Sequence, residues 1–354
     1  MLNKISQNFN TTGFTGNNNN SGTTMTDNFI KGVKTATKLE EKGDFFTRMM
    51  WAPTVTAPVI TGILLYELKT VHSINKAKKT NNLALLNQIR TGLGKKFLLL
   101  GAFGVGIIAL FQGIFSRNTS EKFENFKKEF NEINTSTDAK LSDRMIFSSV
   151  KGAYCNALNC EITINKIMLN DPIKRLKLKK IVKHELVHAR QYETIARSKD
   201  GIKKLNYAVV KNTAKNMNNP IARAELNQIY NELQQDKTGK YDNCQIEISG
   251  TKTNLKNFIN GVYILLNDKN ATKDDIPIII DTKHYQDVIN KKGKLTPEEE
   301  IMAEKYYQAQ INYPKLTLWN MLNPFSAYYD NLLEKEAYKE NPGFYGFIRK
   351  IFGK

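Results

Sequence analysis

The chain has 354 residues, with 52 Lys and Arg against 34 Asp and Glu, a formal net charge of +18. Its 41% apolar content excludes wholesale disorder, and three cysteines exclude a disulfide-framework miniprotein. A mean hydropathy of −0.45 excludes a polytopic transporter, and the absence of an aromatic/basic RNA signature or Cys/His finger spacing gives no reason to expect nucleic acid.

Residues 1–28 are rich in Asn, Thr, Ser and Gly, including the run Asn17 to Asn20, and read as a disordered tail. No apolar block begins before residue 49, too deep for a cleavable secretory signal. Two uncharged apolar blocks then fall at 49–66 and 97–116, 18 and 20 residues long, about the length a helix needs to cross a bilayer. Pro53 and Pro58 in the first are better tolerated in membrane helices than in soluble ones. Ala102, Gly106, Ala109 and Gly113 form one stripe of small residues on the second, suited to close helix approach in lipid. The expectation is a membrane hairpin over 29–117, with the lipid bilayer as partner; buried core helices are the alternative. Gly101, Gly104 and Gly106 follow no strand pattern, so they are not a nucleotide loop.

Lys69, Lys76, Lys78, Lys79, Arg90, Lys95 and Lys96 between the spans favour a cytoplasmic loop and extracytoplasmic long ends. The outer flanks are basic too, so the opposite orientation stays open. Residues 118–147 predict an amphipathic connector helix through Phe123, Phe126, Phe130 and Ile133. The remainder, 148–354, predicts a mostly helical domain with a small sheet.

The segment 150–165 reads as a β-hairpin, with Asn156 to Asn159 as its turn and the alternating Glu161–Asn165 as its second strand. Cys155 and Cys160 flank that turn; a disulfide and two free thiols are both consistent with it. Asp171 and Pro172 then start a helix predicted over 172–198, with apolar residues at helical intervals and no Gly until Gly201. Within it, residues 184–188 read HELVH. Four residues apart on a helix, His184 and His188 project from one face about one turn apart, as two ligands of a tetrahedral zinc require. Glu185, beside the first, is placed to act as general base on a metal-bound water. Gln191 and Tyr192 lie one further turn on and are candidates for orienting a ligand.

The strand followed by HELVH resembles the zincin metallopeptidase superfamily, in which an edge strand before the motif holds extended substrate. Residues 334–338 read EKEAY, similar to the later-helix motif of its gluzincin branch. That resemblance, covering about a third of the chain, implies Glu334 as third zinc ligand, with Glu336 the alternative, and the strand at 160–165 as substrate rail. It departs from the family in three respects. Tyr338 stands where many members have Asp, residues 200–320 form a large helical insertion, and no second hairpin follows the motif.

The insertion predicts helices near 202–217, 220–235, 251–267 and 296–312 and a short strand at 277–280. His284, Tyr313, Tyr328 and Tyr338 are candidates for stabilising the transition state. The fold class expected is α+β: an N-terminal transmembrane helical hairpin, then a zincin-like domain. The function expected is a membrane-anchored zinc metallopeptidase acting on peptide or protein substrates; the alternative is an inactive basic membrane-anchored scaffold.

Overall fold

The computed structural model describes residues 23–43, 69–80, 119–147, 152–170, 172–314 and 326–340, with scattered positions between 82 and 89. Helix α1, Met25–Lys42, begins inside the segment expected to be a tail. Thr24 and Asp27 close a capping box around its first turn. Glu232 accepts from the Met25 and Thr26 N–H groups at 3.1 and 2.9 Å, so a carboxylate from a distant helix satisfies two donors the helix start leaves open. Phe29, Val33 and Ala36 form its buried stripe.

Helix α2, Thr119–Ile133, buries Phe123, Phe126 and Phe130, the face expected of the connector. The rest of 118–147 is not helical: Lys140–Ile146 is strand β1. Strands β2, Ala153–Asn156, and β3, Glu161–Asn165, form the expected antiparallel hairpin, and β1 joins β3 in parallel, giving the order β1-β3-β2. As the central strand, β3 is buried on both faces, which suits its Ile162–Ile164 run.

The sheet is tied to α1 by Arg144. Its guanidinium donates to Glu40 at 2.7 Å, Glu41 at 3.1 Å and the Tyr154 hydroxyl at 3.1 Å, and the Arg144 and Glu40 side chains are both buried. Arg144→Met leaves Glu40 uncompensated inside the protein. The expected cost is about 3–5 kcal/mol, read as a lower denaturant midpoint of unfolding; a midpoint within experimental error of wild type would show that the pair is not what holds α1 to the sheet.

Helix α3 is Lys166–Asn170, and α4 is the long helix Pro172–Arg197. The first half of α4 buries Leu178 on one side and turns the other to solvent, with Leu176 81% exposed among lysines. Its second half is buried nearly all round, through Val182, Leu186, Ala189, Ile195 and Ala196. It becomes central because α5, Gly201–Met217, and later helices wrap it. Then follow α6, Pro220–Gln235, the hairpin β4–β5, Gln245–Ile248 and Thr251–Asn254, and α7, Leu255–Asn267. Next come α8, Thr282–Lys292, α9, Pro297–Ile311, and the broken pair α10, Ala327–Asp330, and α11, Leu332–Glu340.

The helix expected at 251–267 starts instead at Leu255. Ser249 and Gly250, both at positive φ, make the two-residue turn of the β4–β5 hairpin, and Asn254 caps the helix. The strand expected at 277–280 is absent as well. Buried Asn206 takes the place of a ladder partner there, donating to the Pro277 carbonyl at 3.0 Å and accepting from the Ile279 N–H at 2.8 Å.

The membrane architecture is corrected. Among the described residues no helix is long and apolar enough to cross a membrane. The expected spans at 49–66 and 97–116 lie outside the described residues. What the structure displays is a mostly helical fold with a small sheet, and neither the two transmembrane helices nor a membrane location is retained.

Candidate metal centre

His184 and His188 lie in the buried half of α4, one turn apart on one face. Their rings meet edge to face with centroids 4.8 Å apart, and their Nε2 atoms are 3.2 Å apart. Helix α11 packs across this face. It presents Glu334, 2% exposed, with fully buried Ala337 one turn on allowing close approach. Glu334 Oε2 is 3.3 Å from His184 Nε2, and Oε1 is 3.5 Å from His188 Nε2. Burial alone would raise the Glu334 carboxyl, but the His188 and His184 imidazoles and the Tyr313 hydroxyl, which donates to Oε1, hold it down at about 2.

Gln191 decides which nitrogen of His188 carries its proton. The Gln191 amide nitrogen faces two acceptors, the Leu333 carbonyl at 3.1 Å and Glu336 Oε2 at 3.2 Å. Its oxygen therefore faces His188 Nδ1 at 3.0 Å and accepts the proton there, leaving a lone pair on Nε2. Glu336 is engaged elsewhere: the same Oε2 accepts from the Tyr306 hydroxyl at 2.7 Å. Of the two candidate carboxylates, Glu334 is the one brought to the imidazoles. Gln191→Ala frees the His188 ring and should weaken metal binding by about 10–100-fold, measured by competition with a chromophoric chelator. Unchanged affinity would remove Gln191 from the centre.

No family model, curated protein or solved structure matches this chain. The chemistry of the centre rests on its own atoms. Tetrahedral donors at bonds of about 2.0–2.1 Å stand about 3.3–3.4 Å apart. The two nitrogens here stand 3.2 Å apart, and each has its own oxygen of the Glu334 carboxylate at 3.3 or 3.5 Å, spacings of that order. His184 Nδ1 is buried without a hydrogen-bond partner among the described residues, and Glu334 Oε2 has none beyond its approach to His184. Two ring nitrogens and a carboxylate that converge this closely need a proton or a cation between them. Buried His184, His188 and Glu334 could hold a metal ion.

Glu185 points toward the sheet, where its Oε2 accepts the Cys155 N–H at 2.8 Å. The Asn165 N–H donates to the Gly152 carbonyl at 2.9 Å, so alternate residues of β2 face β3, and the backbones of Ala153 and Cys155 face away from it. The strand expected to hold substrate, 160–165, is β3. Both its edges are occupied, by β1 and β2, so an added strand has no place on it. The outer edge next to Glu185 belongs to β2.

Tyr338 lays its ring edge to face on His184, centroids 4.6 Å apart, and Tyr328 lies against Tyr313 at 6.0 Å. Burial and the nearby Glu334 charge push the Tyr313 and Tyr328 hydroxyls well up, so both stay protonated donors. Tyr192 stacks beside His188 with centroids 6.5 Å apart. His284 stands elsewhere, with Cys160 and Glu193. Cys155 and Cys160 are free thiols. Cys155 pairs with Ile162 across the ladder, whereas Cys160 closes the turn at φ +55°.

Proposed function

We propose that the protein is a zinc-dependent metallopeptidase, with His184, His188 and Glu334 as ligands and Glu185 as general base. The observation that carries the reading is the buried triangle of two Nε2 atoms and one carboxylate, with Glu185 beside it on the same helix and against a strand edge. Bound zinc supplies a Lewis acid that lowers the pKa of a water ligand toward neutrality.

Glu185 would take the proton of the attacking water and hand it to the leaving amine. The Cys155 N–H holds that carboxylate in place. The outward backbone of Ala153 and the Cys155 carbonyl would offer an extended peptide a partner by strand addition, the Cys155 N–H being kept by Glu185. Tyr313 gives its single hydroxyl proton to Glu334, so its part is to hold that carboxylate in place.

The test uses the full chain, zinc-loaded, with an unfolded protein carrying self-quenched fluorophores as substrate. The expected result is cleavage abolished by chelation and restored by zinc, and loss of one metal equivalent together with cleavage in His188→Ala. A folded chain whose metal content is unaffected by His188→Ala, or whose cleavage is indifferent to zinc, would overturn the reading.

A further inference from the structure

We propose that Cys160, Glu193 and His284 form a second cation site, for a divalent transition metal of the zinc class. The thiol, a carboxylate oxygen and a ring nitrogen of these residues all lie within 4.8 Å of one another. Tetrahedral donors with bonds of about 2.0–2.3 Å stand about 3.3–3.8 Å apart, so at most about 1–1.5 Å separates the cluster from that spacing. The site shares no residue with the His184, His188 and Glu334 centre. Glu193 follows His188 by five residues, which turns it by about 140° around α4 to another face.

Each donor is presented by a different element, and each is held. Cys160 is fully buried at the end of the β2–β3 turn, with its N–H bonded to the Asn156 carbonyl at 2.7 Å and its thiol donating to the Ala189 carbonyl on α4 at 3.8 Å. Its φ of +55° is a region where glycine is the inexpensive residue, yet a thiol stands there and points inward. Helix α8 is clamped onto the same turn: the Asp281 N–H donates to the Leu158 carbonyl at 2.7 Å, and the Tyr285 hydroxyl to the Ala157 carbonyl at 2.8 Å. That fixes His284, in the first turn of α8, over the cysteine.

The unmet valences also point to a ligand. His284 Nε2 is buried with no hydrogen-bond partner among the described residues, and burial lowers the ring's pKa, favouring the neutral form that ligates. Glu193 is 2% exposed; its Oε1 accepts the Asp138 N–H at 2.6 Å and its Oε2 accepts Lys292 Nζ at 2.6 Å. A carboxylate has about four lone-pair directions, so two are left, and those two bonds act as the outer partners that orient a ligand. Lys292 is shared with Asp138 at 3.4 Å, so its charge is already opposed. A sulfur, nitrogen and oxygen set selects zinc-like ions over magnesium or calcium. Bound there, the ion would staple the hairpin, α4 and α8 together.

The test is cobalt(II) added to the metal-free full chain, followed by near-ultraviolet absorption. Only a thiolate ligand gives the sulfur-to-cobalt charge-transfer band, and the His184, His188 and Glu334 centre contains no sulfur. The band is expected to reach full amplitude by two equivalents in wild type, where both centres take cobalt, and to keep that amplitude in His188→Ala and Cys244→Ser. It should vanish in Cys160→Ser and in His284→Ala, whose half-buried ring makes it the gentler replacement, with folding followed by circular dichroism. Absence of the band in the folded wild type, its survival in either Cys160→Ser or His284→Ala, or its loss in His188→Ala or Cys244→Ser would overturn the site. Because the readout ignores the first centre, failure there leaves this result interpretable, and the reverse holds.

Discussion

Glu185→Gln should keep its metal and lose peptide cleavage by about 10²–10⁴-fold in kcat/KM, the range a positioned general base contributes. Glutamine has the same shape, and its amide oxygen can still accept the Cys155 N–H that Glu185 Oε2 accepts at 2.8 Å. The fold and the strand edge therefore stay as they are. What disappears is the ability to take a proton and return it. The two measurements are metal content by atomic emission and steady-state cleavage of the quenched protein substrate. A variant that retains cleavage within a few-fold of wild type would remove Glu185 from the mechanism. One that loses metal in parallel would make it a structural residue of the centre.

Glu334→Ala should bind the metal far more weakly than Gln191→Ala, whose effect is an outer one of about 10–100-fold. Glu336→Ala should leave affinity near wild type. The reason is geometric. Glu334 is the sole carboxylate among the described residues within reach of both imidazoles, at 3.3 and 3.5 Å, whereas Glu336 spends its oxygen on Gln191 and Tyr306. Removal of Glu334 also leaves the Tyr313 hydroxyl without its acceptor in a buried place. Titration of both variants with zinc against a chelator separates the two carboxylates. Equal losses, or a larger loss in Glu336→Ala, would reassign the third ligand.

Much of the candidate site was legible in the amino-acid sequence because its signals are local. HELVH carries its own spacing, Pro172 and the apolar period announce α4, and the short turn before Glu161 announces the hairpin. Glu334 is legible through resemblance and through Ala337 on its own face, a small residue that lets α11 approach α4. What escaped the reading depends on distant partners. Strand β1 contains Asp143 and Arg144, and the Arg144 side chain is met by Glu40 and Glu41 arriving from α1. The substrate edge was assigned to β3 because sequence cannot reveal that β1 closes its far side. The Pro277–Ile280 segment has strand-like residues, but Asn206 satisfies its backbone. Two missed elements did carry signals: Ser249-Gly250 marks a hairpin turn, and Asp281 with Gly293 brackets α8.

The order of His184, His188 and Glu334 along the chain has a consequence for synthesis. The two histidines share one helix, but their carboxylate partner follows only after α5 to α9 have been made and packed around it. A ribosome-bound chain that has released α4 alone offers two imidazoles and an unfinished pocket. The centre is therefore completed late, when nearly all of the domain is out and folded, and a truncated product ending before Glu334 lacks it altogether. A metal held by these three residues would therefore load only onto a chain that has already closed around Glu334.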